Sequence, residues 1–152
     1  MNDIIKIAQL RAQEQQLAYA GAVTPEEAFR LLQENQNIML VDVRTNAERD
    51  WVGRVQIAES QHKVVQWSLY PGGTANPDFM NQLREAIPSS DTVILFLCRS
   101  GVRSRHGAKL ASEHGYTACF DILQGFEGDK DTHGHRKTVG GWCSADLPWI
   151  GA

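Results

Sequence analysis

The densest chemistry in the chain is Cys98-Arg99-Ser100-Gly101-Val102-Arg103-Ser104, which stands directly after the apolar run Thr92-Val93-Ile94-Leu95-Phe96-Leu97. A cysteine followed so closely by two arginines, a serine and a glycine suits a sulfur nucleophile that works on an anion. The thiolate is the reactive form of cysteine, and both arginine charge and unpaired backbone N–H groups favour it without a histidine base. Gly101 lets the chain curl tightly enough for those N–H groups to converge on one point. The plainer alternative is a core cysteine at a strand end, which leaves the charge beside it unexplained. A second polar group, Asp42 and Arg44, closes the run Ile38-Met39-Leu40-Val41-Asp42-Val43.

The flanking elements explain why such residues would meet. Continuous apolar runs of this length read as strands buried on both faces, predicted here over Ile38–Val43, Thr92–Leu97 and Thr117–Ile122. Thr24-Pro25-Glu26-Glu27 carries a capping box with proline in the first turn, so a helix is predicted from Pro25 to about Glu34. Asn76-Pro77 introduces a helix with Phe79, Met80, Leu83 and Ile87, closed by Pro88, and a further helix runs past Lys109 to His114 with Gly115 as its stop. Ile4, Ile7, Leu10 and Leu17 give residues 4–20 a weak helical stripe ending at Gly21, which is expected to pack rather than to bind a partner. Alternation of strands and helices predicts an α/β fold, a parallel sheet with helices on both faces. Ligands of such sheets collect where strands end and helices begin, and Cys98 stands at such a place.

Composition bounds the function. With 152 residues and 42% apolar residues the chain can close one hydrophobic core, and 22% charged residues with five prolines fit neither a disordered tail nor a repeat array. Fifteen Lys and Arg against eighteen Asp and Glu, a formal net charge of -3, argue against a nucleic-acid coat or an acidic-membrane binder, so anion chemistry must be local. No apolar run approaches the ~20 residues of a membrane span, and the start of the chain lacks the pattern of a secretory signal. Three cysteines are too few for a disulfide scaffold and are expected as thiols in a cytoplasmic setting.

The loop Cys98 to Ser104 after an apolar strand, together with Asp42-Val43-Arg44 after an earlier one, resembles the rhodanese family of sulfurtransferases. The similarity runs from about Thr24 to Trp149 and has the form of a single domain. It implies a five-stranded parallel sheet flanked by helices, with residues 1–22 as an N-terminal helical extension and 23–152 as a rhodanese-like domain with an insertion at about 126–141. Cys98 would then accept sulfur from thiosulfate or a similar donor, hold it as a persulfide and pass it to cyanide, a thiol or a sulfur-carrier protein. Arg99, Ser100, Gly101, Val102 and Arg103 would line the bound sulfur, with Asp42, Arg44 and Ser104 in support, Asp42 and Arg44 either bracing neighbouring strand ends together with Glu48 or forming a simple surface ion pair; no cofactor, metal, nucleic acid or membrane is implied. The alternatives within the resemblance are a non-catalytic binding module, whose members typically lack the cysteine, and a phosphatase or arsenate-reductase relative. The latter needs five residues between cysteine and arginine, whereas here four precede Arg103 and the next position is Ser104. Two departures stand out. Gly53-Arg54-Val55-Gln56-Ile57-Ala58 replaces the family's Gly-His-Ile-Pro-Gly-Ala, leaving a strand there in doubt, and an insertion, expected as a surface excursion, separates Gly125-Phe126 from Gly140-Gly141-Trp142.

The remaining signals are weaker. Asp129, Asp131 and Gly134 imitate the start of a calcium loop, but Gly140 occupies the position that needs a glutamate. His133, His135 and Cys143 follow no zinc spacing. Cys119 reads as a core residue, Cys143 as an unassigned thiol that could relay sulfur or pair with Cys98, Trp142 and Trp149 as packing residues, and His106 as solvated or capping.

Overall fold

Side chains alternate across a strand, so an all-apolar run such as Ile94–Leu97 must be covered on both faces. A computed structural model describes residues 2–151 and meets that demand. Met1 and Ala152, the outer ends of the two expected segments, lie outside the described residues. The elements in chain order are α1 (Asn2–Gln15), β1 (Gly21–Val23), α2 (Pro25–Glu34), β2 (Met39–Asp42), α3 (Asn46–Val52), β3 (Arg54–Val55), β4 (His62–Val64), β5 (Ser68–Leu69), β6 (Thr74–Ala75), α4 (Phe79–Ala86), β7 (Ile94–Leu97), α5 (Val102–Glu113), β8 (Cys119–Ile122) and β9 (Trp149–Ile150). Five strands form a parallel sheet in the order β1-β8-β7-β2-β4, which sets β7, and the loop that follows it, at the centre.

Parity divides the core. Leu95 and Leu97 of β7 join Leu40, Phe120 and Ile122 on one face, under Ala8 of α1, Ala28, Leu31 and Leu32 of α2, and Trp142. Ile94 and Phe96 join Val41, Val43 and Cys119 on the other, under Phe79 and Leu83 of α4 and Ala108 and Ala111 of α5. Cys98 keeps the same parity and belongs to the second face. The helix α2 begins where the capping box places it: Thr24 accepts from the Glu27 N–H and the Glu27 side chain accepts from the Thr24 N–H. Against β1, α1 lies so close that a Cβ at Gly21 would come within 2.4 Å of the Ala8 carbonyl oxygen.

Three features differ from the sequence reading. The first helix stops at Gln15, and Gly21 opens a strand; three residues are too few for a strand period to register. The polar stretch after Arg44 contains α3, capped by a second box in which Thr45 and Glu48 play the parts of Thr24 and Glu27. The doubtful strand at Gly53–Ala58 contributes only Arg54 and Val55, which pair antiparallel with Ile150 and Trp149 outside the main sheet, and β4 takes the sheet edge instead. Gly53, at φ 125°, ends α3 and lies so near the tail that a Cβ there would come within 2.6 Å of the Ile150 carbonyl oxygen.

Candidate active site

Cys98 is the first residue past β7, and α5 begins four residues later with Gly101 as its N-cap at φ 106°. This left-handed turn aims the Gly101 N–H at the Cys98 Sγ, 3.0 Å away. The Ser104 Oγ, one turn into α5, lies 3.2 Å from the same sulfur. The sulfur therefore sits at the N-terminal end of a twelve-residue helix, where unpaired N–H groups and the helix dipole favour an anion. Only 1% of Cys98 is exposed. In the same loop Ser100 is half-buried and Val102 is exposed.

The outer wall of the loop comes from the segment after β8. Phe126 N–H donates to the Cys98 carbonyl at 2.8 Å, and the Glu127 and Gly128 N–H groups donate to the Arg99 carbonyl at 2.9 and 3.2 Å. Gly125, at φ +68°, runs so near that a Cβ there would lie 2.5 Å from the Arg99 carbonyl carbon. The root of the expected insertion thus supports the nucleophile loop, while most of residues 129–139 lie exposed as an excursion. In that excursion Asp131 accepts from the His133 and His135 N–H groups and from Thr138, so its carboxylate holds the loop's own shape. Among the described residues no cluster of three or more His, Cys, Asp or Glu side chains is placed to hold a metal ion.

The arginine charge expected to favour the thiolate is shared with carboxylates. Arg103 makes two hydrogen bonds to Glu48, at 2.6 and 2.8 Å, and Arg99 pairs with Glu127 at 3.1 Å. Burial acts to raise the Glu48 carboxyl, but hydrogen bonds from Arg103 and the Thr45 N–H overcome it and bring its pKa to about 2. Glu48 consequently does two jobs, capping α3 and fixing Arg103. Arg103 is itself held above the usual guanidinium range, first by the hydrogen bond to Glu48, with the Cys98 sulfur and Asp42 adding to it.

Asp42 and Arg44 form no surface pair, because both side chains are 0% exposed. Arg44 meets both carboxylate oxygens of Asp42, donates to the Gly53 carbonyl at 2.9 Å and lies 4.4 Å over the Phe126 ring. Since Phe126 also holds the Cys98 carbonyl, the pair braces the loop through an intermediary. Arg49 stands 3.4 Å from the same carboxylate.

Among the other thiols, Cys119 lies buried in β8 with its pKa pushed up to about 11 by burial. Cys143 packs on the opposite face to Cys98, is likewise raised to about 11 by burial, and all three cysteines are free. His106 stacks on Trp67. The structure also brings in a residue that the sequence reading passes over, Asp121. It is 1% exposed, and its Oδ1 accepts from the Ser104 hydroxyl at 2.5 Å. Its signal is a lone carboxylate in the apolar run Cys119-Phe120-Asp121-Ile122.

Fold and loop together define an α/β domain that holds a cysteine at a strand end inside a backbone-lined cradle. The family model described as the STR4 middle domain matches residues 20–152, and the chain belongs to this rhodanese-like family. The chain is similar to the crystal structure of Rv0390 from M. tuberculosis, at 40% identity and a TM-score of 0.80, covering 88% of this chain and 99% of that one. It is 37% identical over 123 residues to the uncharacterized protein RP600 of Rickettsia prowazekii (strain Madrid E), covering 81% of this chain and 91% of that protein. It is 29% identical over 126 residues to the thiosulfate sulfurtransferase GlpE of Haemophilus influenzae, covering 83% of this chain and 90% of that one. No helix among the described residues is long and apolar enough to cross a membrane.

Proposed function

We propose that the chain is a sulfurtransferase that moves a sulfane sulfur from thiosulfate or a similar donor to a thiol, a sulfur-carrier protein or cyanide. The observation that carries this reading is the Gly101 N–H directed at the Cys98 sulfur from the start of α5. The Cys98 thiolate attacks the outer sulfur of the donor, an Sγ–S bond forms, and the donor's S–S bond breaks with its electron pair leaving on the sulfite-like group. The acceptor then attacks the outer sulfur of the persulfide, and the pair of the Sγ–S bond returns to Cys98. Donor, persulfide and leaving group are all anionic, so one set of N–H donors and the nearby Arg103 serves every state. With four residues between Cys98 and Arg103, the loop suits one sulfur atom better than a phosphate.

The test is an intact mass spectrum after exposure to thiosulfate. We expect the chain to gain the mass of one sulfur atom and to lose it on addition of cyanide. An unchanged mass with thiosulfate, polysulfide and a persulfide donor alike would place the chain among binding modules that keep the cysteine without using it. A second result concerns charge. Arg103→Met should raise the KM for thiosulfate by about tenfold, the equivalent of roughly 1.4 kcal/mol, because it removes a cation that senses the sulfur and leaves the Glu48 carboxylate unpaired beside the loop, and Lys109→Met should leave it unchanged. Steady-state kinetics of both variants decide it, and equal effects would show that Arg103 contributes only general surface charge.

A further inference from the structure

We propose that Asp121 acts as the internal proton acceptor for Cys98, through the hydroxyl of Ser104. The inference rests on the proposed function, which needs a thiolate but names no group that takes its proton. The path is continuous. Sγ of Cys98 lies 3.2 Å from Oγ of Ser104, and either atom can donate. The same Oγ contacts Oδ1 of Asp121, and all three residues are 0 to 1% exposed.

The sheet makes this meeting unavoidable. Asp121 pairs in register with Phe96, two residues before Cys98, and shares parity with Cys119 on the face covered by α5. Ser104 points down from α5 onto that face together with Ala108 and Ala111; it is fully buried, whereas its neighbour Arg105 is exposed. A carboxylate that only stabilised the fold would have little reason to occupy an interior strand of a parallel sheet with a hydroxyl as its side-chain hydrogen-bond partner. A carboxyl that exchanges a proton with the sulfur has one.

Two proton arrangements share the pocket. In one, Cys98 S–H donates to Ser104, whose hydroxyl donates to the Asp121 carboxylate. In the other, the carboxyl of Asp121 donates to Ser104, whose hydroxyl donates to the Cys98 thiolate. Passing between them moves one proton from sulfur to Ser104 and one from Ser104 to Asp121, so the thiolate forms while the net charge of the pocket stays constant. Burial pushes the Asp121 carboxyl up to about 7, against the hydrogen bond from Ser104 and the charge of Arg105, so it can take a proton near neutral pH. The charged and titratable groups that face it are Arg105 from α5 and the phenol of Tyr19 ahead of β1, the latter raised to about 12 by burial and by Asp121 itself. From β1, the strand paired with it, it meets Ala22, and from β7 Phe96, neither of which titrates.

The test is the rate of Cys98 alkylation by iodoacetamide, followed by intact mass between about pH 5 and 9, in the full chain. Two coupled groups release their protons in two macroscopic steps, so the wild-type rate should climb in two steps. Asp121→Asn, nearly isosteric, should climb in one. In Ser104→Ala, which keeps both titrating groups and removes the bridge, the two steps should draw together, and this variant serves equally if the first does not fold. Wild-type and variant profiles that superimpose overturn the inference. A persulfide that still forms on Cys98 with superimposable profiles leaves the sulfurtransferase reading standing and removes only the relay. Stepped profiles without any sulfur gain do the reverse.

Discussion

Cys98→Ser is expected to bring thiocyanate formation from thiosulfate and cyanide down to the rate without enzyme, a loss on the order of 10⁴-fold or more. The substitution changes one atom. A serine oxygen can still accept from the Gly101 N–H and bond to Ser104, so the loop keeps its hydrogen bonds and the thermal midpoint should hold within a few degrees. What disappears is the soft, easily ionised sulfur that can form a bond to a sulfane sulfur and later release it. Coupled measurement of thiocyanate and of the melting curve separates the two effects. Wild-type turnover in the serine variant would take Cys98 out of the reaction, and a collapsed melting curve would leave its role to the mass spectrum of the native chain.

The largest effect on stability is expected at Arg44. Replacing it by methionine leaves the Asp42 carboxylate fully buried, with Arg49 at 3.4 Å as its ion-pair partner. Removing one partner of a buried pair costs about 3–5 kcal/mol, because the other charge stays desolvated and uncompensated. For a chain of this size that corresponds to a fall of roughly 10 °C in Tm. The double variant Asp42→Asn/Arg44→Met should recover a large part of that loss, since the fully buried carboxylate is gone and Arg49, 13% exposed, is the charge left without its partner. Urea unfolding of the three proteins checks it, and a single-variant loss under about 1 kcal/mol would mean that water or Arg49 already neutralises Asp42. The substitution should also reach the active loop, because Arg44 packs on Phe126 and Phe126 holds the Cys98 carbonyl. A rise in the donor KM without a matching change in protein concentration would register that coupling.

Several features could be read before any fold existed, and each depends on near neighbours in the chain. Thr24 and Glu27 cap α2 from three residues apart, and the Ile94–Leu97 run is a buried strand whatever it pairs with. Gly101 is left-handed because the turn from β7 into α5 needs it, and Cys98 meets its N–H three residues away. The same capping logic extends to Thr45 and Glu48, so α3 was legible too, though its polar composition masked it.

The partners of those residues were not legible. Glu48 and Arg103 are 55 positions apart, Arg99 and Glu127 are 28 apart, and Ser104 and Asp121 are 17 apart. Pairing at such distances depends on strand order and on which face each residue takes, and both follow from how the whole sheet packs. A local pattern can state that arginines stand beside a cysteine. Whether their charge stays on the sulfur or passes to a carboxylate, and whether Asp42 and Arg44 lie at the surface or in the core, depends on solvent exclusion, which only the assembled layers create.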